Sequence, residues 1–265
     1  MTFFKLPAVR LRLILFLVLT GLPSAWSWAE SATVAAASSL RPTLDRIAEA
    51  YMEANPEDSI TIIYGASGRL TAQILNGAPF DAFLSADTAY PSALFEQAPG
   101  TSEPLIYALG RLVLWSANHD VKGLALSGLT QDRFRRIAIA QPAIAPYGQR
   151  AREALEAVGV WAQIENRVVY GENISQVAQM SASGAADVAI TALSLALQDG
   201  LAERPYALID DSLHEPLAQS MVVTARGQHN NAARNFIKFM RHTVAADILV
   251  RAGFQMPVSG MAAGS

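Results

Sequence analysis

The sequence predicts an α/β protein whose sheets are mostly parallel, and three observations lead to this fold class. Short apolar runs rich in β-branched residues recur along the chain. Each run ends in a turn of small or polar residues, and each turn is followed by a segment whose apolar residues have helical spacing. Regular alternation of strand, turn and helix is typical of α/β folds. Because ligands in such folds bind beside the carboxyl ends of the strands, we expect the functional residues in these turns.

The first 29 residues are predicted to be a secretory signal peptide. Lys5, Arg10 and Arg12 precede an apolar core at residues 13–19, and residues 27–29 (Ser-Trp-Ala) have the small-x-small pattern of a cleavage site. An N-terminal membrane anchor is the alternative, but it needs roughly 20 apolar residues. We therefore expect the chain to be exported and cut after residue 29.

The mature chain is expected to be acidic. Removing the leader takes away three basic residues and no acidic ones, so the net charge changes from −3 to −6 over the remaining 236 residues. An acidic chain is poorly suited to nucleic acid or to an anionic membrane surface, and we expect neither as a partner. The absence of cysteine excludes disulfides and thiolate chemistry. A content of 51% hydrophobic residues is enough for a large core in one or two domains.

The stretch Thr33–Leu44 ends a predicted strand at two adjacent hydroxyls, Ser38 and Ser39. An amphipathic helix follows at once, with Pro42 in its first turn. Ser39 could simply cap this helix, because serine is a preferred N-cap residue. Alternatively, the paired hydroxyls, the free N–H groups of the first turn and the helix dipole together form a site for an anion. Recurrence of the pattern elsewhere in the chain favours the second interpretation.

The same arrangement recurs three times. The predicted strand Ser59–Tyr64 runs into the turn Gly65–Gly68, whose glycines let the backbone approach a ligand closely. Tyr147 lies at the entrance of a third predicted helix. Asn173 is a good N-cap for a fourth helix, which begins at Ile174 and leaves the N–H of that residue among the unpaired donors of the first turn. Four helix entrances therefore carry neutral hydrogen-bond donors.

Six motifs resemble, in order and spacing, the periplasmic molybdate-binding proteins (the ModA family) of ABC transporters. They are Val34–Leu40, Gly65–Leu70, Ala78–Asp87, Ala145–Gly148, Gly171–Ser175 and Ala192–Ser194. The resemblance covers Thr33 to Pro257. It implies a type II periplasmic binding protein, in which two α/β lobes with mixed, mostly parallel sheets are joined by two crossover segments around a cleft that holds the ligand.

The resemblance also implies the lobes and the ligand-binding residues. We expect lobe 1 to comprise residues 30–110 and 225–265 and lobe 2 to comprise 111–224, with the crossings around Ala108 to Arg111 and Met221 to Thr224. Lobe 1 and lobe 2 would each supply donors to the ligand. These donors are the hydroxyls of Ser38, Ser39 and Ser67 from lobe 1, and the Tyr147 hydroxyl and the N–H of Ile174 from lobe 2.

The function implied by the resemblance is capture of molybdate, and of the nearly isosteric tungstate, in the periplasm and delivery to an ABC permease by a monomeric protein. No catalytic residue, cofactor or bare metal cation is expected, since molybdenum would bind only as its oxyanion. Molybdate is a tetrahedral dianion without a proton at neutral pH, so hydroxyl and amide donors suit it without Lys or Arg. Phosphate is disfavoured because its remaining proton needs an acceptor. Sulfate has the same charge and shape, so a sulfate binder is the nearest alternative.

Two further alternatives belong to other classes of protein. A secreted serine hydrolase could use Ser39 or Ser67, but Arg69 breaks the G-x-S-x-G pattern around Ser67. The hydrolase also needs a base beside the hydroxyl, and every histidine lies outside these helix entrances. A cation or ferric-iron binder would need clustered carboxylate, histidine or tyrosine ligands. Asp81 and Asp87 could serve as ligands or acid-base groups, but residues in such positions more often cap turns and pair locally.

Overall fold

The structure is a computed structural model that describes residues 1–2 and 30–257. The predicted signal peptide falls almost entirely outside the described residues. From residue 30 onward, the chain forms two lobes, and each lobe is built on a five-stranded sheet. Among the described helices, none combines the length and the apolar character that crossing a membrane requires.

The described part of the chain contains ten strands and nine α-helices. The strands are β1 (Glu30–Ala37), β2 (Asp58–Gly65), β3 (Ala82–Ser85), β4 (Leu105–Gly110), β5 (Leu112–Trp115), β6 (Ile137–Ala140), β7 (Val168–Gly171), β8 (Val188–Ala192), β9 (Tyr206–Leu208) and β10 (Leu217–Val223). The helices are α1 (Arg41–Ala54), α2 (Ser67–Leu75), α3 (Ala89–Gln97), α4 (Pro146–Ala157), α5 (Trp161–Ile164), α6 (Ile174–Ala182), α7 (Leu193–Ala196), α8 (Asn231–Phe239) and α9 (Thr243–Arg251).

Both sheets have the same strand plan. The order is β2-β1-β3-β10-β4 in the first sheet and β7-β6-β8-β5-β9 in the second. In each sheet the first three strands are parallel neighbours, and the fourth pairs antiparallel with the strands on both of its sides. Four of the five strands in each sheet therefore run in one direction. The predicted fold class, two α/β lobes with mixed and mostly parallel sheets, is confirmed.

The chain passes between the lobes twice. Strand β4 ends at Gly110 in the first sheet and β5 begins at Leu112 in the second, so the first crossing is at Arg111, within the predicted range. The second crossing lies between Leu208, the end of β9, and Leu217, the start of β10.

The expected second crossing at Met221 to Thr224 needs correction. Strand β10 hydrogen-bonds to β3 on one side and to β4 on the other, and this pairing makes residues 217–223 part of the first sheet. Lobe 1 therefore comprises residues 30–110 and 217–257, rather than a second segment starting at residue 225. Lobe 2 comprises residues 111–216.

Two helices begin earlier than their apolar spacing predicts. Their apolar spacing alone begins at Leu70 and at about Gln149, whereas α2 starts at Ser67 and α4 at Pro146, three residues earlier in each case. The first turn of each helix consists of small or polar residues that carry no periodic signal. Consequently Ser67 and Tyr147 lie inside the first turn, where the backbone N–H groups have no partner within the helix.

The parallel strands of both sheets end at the gap between the lobes. Strand β1 lies between β2 and β3, and its residues Val34, Ala35 and Ala36 are fully buried. Small side chains in this interior strand let the covering helices pack close to the sheet. The turns that follow the parallel strands are thereby held by the core of each lobe, facing those of the other lobe.

Candidate functional site

One small cavity lies where the strands of the two sheets end. Both lobes contribute to its wall. The lining residues are Ala37, Ser38, Ser39, Gly65, Ala66, Ser67 and Ala86 from lobe 1, and Ala145, Pro146, Tyr147 and Ile174 from lobe 2. The structure thus brings all five predicted site residues to one place, although they come from four separate helix entrances.

The three serines of lobe 1 are buried, with exposed fractions of 2% for Ser38, 0% for Ser39 and 1% for Ser67. The Ser67 Oγ accepts a hydrogen bond from the Ala86 N–H at 3.1 Å. A hydroxyl has one proton and two lone pairs, so the Ser67 proton stays available for another acceptor. The Ser39 Oγ has no hydrogen-bond partner among the described residues. A buried hydroxyl without a partner costs about 1–3 kcal/mol, a cost that an anionic ligand beside it would remove.

Ser39 does not cap the helix that follows it. The chain makes one 3₁₀ turn over Ser38–Leu40 before α1 begins at Arg41. Neither Ala37 nor Leu40, the residues in the two N-cap positions, has a side-chain capping bond. The simple capping interpretation of Ser39 is therefore wrong, and its hydroxyl is left at the cavity.

Lobe 2 contributes donors from the first turns of α4 and α6. Tyr147 is 2% exposed and Ile174 is 4% exposed. The predicted N-cap is confirmed, since the Asn173 side chain accepts a hydrogen bond from the Gln176 N–H at 3.1 Å. The N–H of Ile174, one position into the helix, has no intrahelical partner by construction.

The Tyr147 hydroxyl lies at the first crossing between the lobes. A Cβ placed on Gly110 would be 2.2 Å from the Tyr147 Oη and 2.8 Å from the Gln219 Nε2. Burial raises the pKa of Tyr147 above its ordinary value, and the neighbouring side chains of Ser39 and Gln219 only partly oppose this rise. Tyr147 is therefore a neutral hydroxyl that retains its proton.

Gln219 also lies at the site, although its sequence context did not predict it. It is fully buried in β10, and its Nε2 donates to the carbonyl oxygens of Ala86 and Leu217, each at 3.3 Å. Its Oε1 has no hydrogen-bond partner in the described part of the chain. A glutamine inside an otherwise largely apolar strand was the available signal, because a buried amide needs a polar neighbour.

No catalytic base lines the cavity in the described part of the chain. Within the described residues, its lining contains no histidine, aspartate or glutamate, so the serines have no partner that could activate them. The same part of the chain holds no group of three or more His, Cys, Asp or Glu residues arranged to bind a metal ion. The geometry thus gives no support to the hydrolase or cation-binding alternatives.

Asp81 and Asp87 pair locally. Asp81 accepts a hydrogen bond from the Thr33 N–H at 2.8 Å and forms an ion pair with Arg226, whose Nε lies 3.3 Å away. Asp87 accepts from the Ser85 hydroxyl at 2.9 Å, and burial raises the pKa of its carboxyl group. Both carboxylates hold loops of lobe 1 in place.

Two α/β lobes with a cavity between them that is lined by neutral donors have the architecture of a two-lobed solute-binding protein. The chain belongs to the family of bacterial extracellular solute-binding proteins, whose sequence profile matches residues 32–255. This is a family of binding proteins rather than enzymes.

Within this family, the chain is similar to individual proteins that are named as molybdate-binding. The chain is 34% identical over 202 residues to the molybdate-binding protein ModA of Rhodobacter capsulatus, covering 74% of this chain and 77% of that protein. It is 31% identical over 237 residues to ModA of Azotobacter vinelandii, covering 88% and 93%. The solved structure of the periplasmic molybdate-binding protein of Azotobacter vinelandii superimposes with a TM-score of 0.78 at 31% identity, covering 85% of this chain and 99% of that one. The resemblance drawn from the six motifs is confirmed.

Proposed function

We propose that this protein captures molybdate in the periplasm and delivers it to an ABC permease. The observation that carries the proposal is the convergence of buried neutral donors from both lobes on one small cavity. The donors are the hydroxyls of Ser38, Ser39, Ser67 and Tyr147 and the N–H of Ile174. The similarity to proteins named as molybdate-binding supports the choice of ligand.

The chemistry of the donors fits a fully deprotonated oxyanion. Each hydrogen bond to a charged group contributes roughly 1.5–3 kcal/mol. Five such bonds sum to roughly 7.5–15 kcal/mol. The part left after the costs of desolvation and ordering needs to reach only about 8 kcal/mol for micromolar affinity. No lysine or arginine lines the described cavity, so the affinity depends on geometry and on helix N-termini rather than on ion pairs.

Selectivity follows from what the cavity lacks and from its size. Phosphate retains a proton at neutral pH, and the described lining residues present no carboxylate or imidazole to accept it. The P–O–H group of bound phosphate would therefore face other hydrogen-bond donors, which disfavours its binding. Sulfate differs from molybdate only in size, and cavity dimensions must discriminate between them. Tungstate is nearly isosteric with molybdate, and we propose that it binds as well. In this proposal the oxyanion is the ligand, and no cofactor is needed.

Export, a monomeric state and lobe closure are also part of the proposed function. The signal peptide is removed on export, the mature chain acts as a monomer, and its lobes close around the ligand by a hinge motion at the two crossings. The permease then receives the closed, loaded form.

Isothermal titration of the purified mature chain tests the proposal. We expect molybdate and tungstate to bind with micromolar or tighter Kd, sulfate to bind at least about tenfold more weakly, and phosphate to give no signal. Failure of both molybdate and tungstate to bind below the millimolar range would exclude the proposed function. Tight binding of sulfate alone would replace it with the sulfate alternative.

Molybdate affinity is expected to stay constant, within about twofold, from pH 7 to about pH 10.5. Burial raises the pKa of Tyr147 above its ordinary value of 10.0, so the hydroxyl keeps its proton as the pH rises through that value. An ordinary tyrosine would be mostly ionised at the upper end and would repel the dianion. Titrations across this range, with circular dichroism to verify folding, measure the effect. A fall in affinity centred near pH 10 would contradict the prediction, and Tyr170→Phe, which alters an exposed tyrosine, serves as the control.

A further inference from the structure

Two serines of lobe 2 donate to the backbone of the adjacent serines of lobe 1. The Ser175 hydroxyl donates to the carbonyl oxygen of Ser38 at 2.8 Å. The Ser194 hydroxyl donates to the carbonyl oxygen of Ser39 at 2.7 Å, and this bond is buried. The partners lie 137 and 155 residues apart along the chain and belong to opposite lobes.

Ser175 also orients a ligand hydroxyl. Its backbone N–H donates to the Ser38 Oγ at 3.3 Å. This bond occupies a lone pair of Ser38 and leaves its single proton free to point at an acceptor in the cavity. Ser67 obtains the same arrangement from Ala86, a residue of its own lobe. The Ser67 hydroxyl is thus oriented by a residue of its own lobe, whereas the Ser38 hydroxyl is oriented only when lobe 2 contacts it.

The other contacts between the lobes near the cavity are of a different kind. The Gly68 N–H donates to the carbonyl oxygen of Ile144 at 2.9 Å, away from the ligand hydroxyls. Arg69 and Glu172 form an ion pair at 3.1 Å in which both side chains are more than half exposed, and such pairs contribute little. The hydroxyls of Ser175 and Ser194 therefore stand out, because they bond to the two residues that carry adjacent ligand hydroxyls.

We propose that Ser175 and Ser194 are positioning residues that form an interlobe latch, defined as their two hydroxyl bonds to the carbonyl oxygens of Ser38 and Ser39. The latch holds the Ser38-Ser39 turn in position as the lobes close, and this places the Ser38 and Ser39 hydroxyls among the other ligand donors. This inference rests on the proposed function. Since the latch bonds exist only when the lobes are together, they link closure to ligand recognition.

If Ser175 and Ser194 act in ligand binding, their loss should affect binding without affecting the stability of the ligand-free protein, which a purely structural role would not predict. Removing one latch hydroxyl should raise the molybdate dissociation rate and weaken affinity by about three- to tenfold, the usual effect of one buried hydrogen bond. The melting temperature of the ligand-free protein should not change, because the separated lobes make no latch bonds. The melting temperature in saturating molybdate should fall.

The experiment compares four variants of the full mature chain with the wild type. Ser175→Ala and Ser194→Ala each remove one latch bond. Ser175→Thr keeps the hydroxyl at a partly exposed position and should restore wild-type affinity. Ser183→Ala removes an exposed hydroxyl near the end of α6 that bonds only to the nearby Met180 carbonyl, and it is the matched control. Titration calorimetry gives Kd, stopped-flow fluorescence gives the dissociation rate, and small-angle scattering with and without molybdate reports closure.

The outcomes separate the latch from the proposed function. Weaker binding in both alanine variants, with ligand-free stability unchanged and rescue by Ser175→Thr, supports the latch. Wild-type affinity in Ser175→Ala and Ser194→Ala, while the wild type binds molybdate, overturns the latch alone. Equal loss of stability with and without ligand also overturns it. A wild type that binds neither molybdate nor tungstate rejects the proposed function and, with it, the latch.

Discussion

Replacing Gly110 with alanine is expected to weaken molybdate binding by about 100-fold or more. The added Cβ would lie 2.2 Å from the Oη and 3.0 Å from the Cζ of Tyr147, and 2.8 Å from the Gln219 Nε2. These distances are well inside van der Waals contact. Tyr147 is buried and lines the cavity, so a displacement of its hydroxyl changes the cavity wall. The substitution is therefore expected to misplace a proposed ligand donor, to fill the cavity, or to do both.

A second substitution isolates the clash as the cause. Gly110 is not among the glycines of positive φ, so alanine brings no backbone strain there and the predicted effect is steric. Adding Tyr147→Phe to Gly110→Ala removes the atom at 2.2 Å. The double variant should recover part of the melting temperature lost in the single variant, yet still bind molybdate weakly because a hydroxyl donor is missing. Titration calorimetry and thermal unfolding measure both quantities. Wild-type affinity in Gly110→Ala would show that the crossing can shift without affecting Tyr147.

Replacing Gly148 with alanine is expected to destabilise the protein by about 3 kcal/mol or more. The new Cβ would lie 2.1 Å from the carbonyl oxygen and 2.6 Å from the carbonyl carbon of Ala140. Both are backbone atoms at the end of β6, so they cannot rotate away as the end of a flexible side chain could. Helix α4 would have to move off the sheet, and because it carries Tyr147 in the same turn, ligand binding should be lost as well.

Urea unfolding followed by circular dichroism measures this loss of stability. Gln149→Ala is the matched control, because Gln149 is the next residue of α4 and is exposed. Its effect should stay within about 0.5 kcal/mol. An unfolding midpoint for Gly148→Ala equal to that of the control would mean that the close approach of α4 and β6 is not required.

The residues that line the cavity could be predicted because each is encoded beside the end of its own strand. Ser38 and Ser39 follow an apolar run directly, and Ile174 follows an N-cap asparagine. Parallel strands bring their carboxyl ends to one edge of a sheet, so local patterns place the donors of one lobe together. The meeting of donors from both lobes at one cleft was implied by the family resemblance. Gly65 and the following turn were found by the same reasoning.

The missed features depend on pairings between distant parts of the chain. The apolar pattern of β10 identifies a strand, but its place between β3 and β4 depends on partners more than 100 residues earlier. Strands β4 and β9 lie at the edges of their sheets, and the three-residue β9 gives almost no periodic signal. The bond from Ser194 to the carbonyl oxygen of Ser39 likewise links positions whose proximity only the assembled lobes create.

The insertion of β10 between two strands of the N-terminal segment also determines the order in which the molecule can be assembled. A chain that emerges N-terminus first presents all five strands of lobe 2 once residue 208 is free, whereas the first sheet still has a gap between β3 and β4. That gap closes only when residues 217–223 arrive, near the end of synthesis or export. The lobe that begins first is thus completed last, and a chain interrupted before residue 217 leaves two unpaired strand edges in its first sheet.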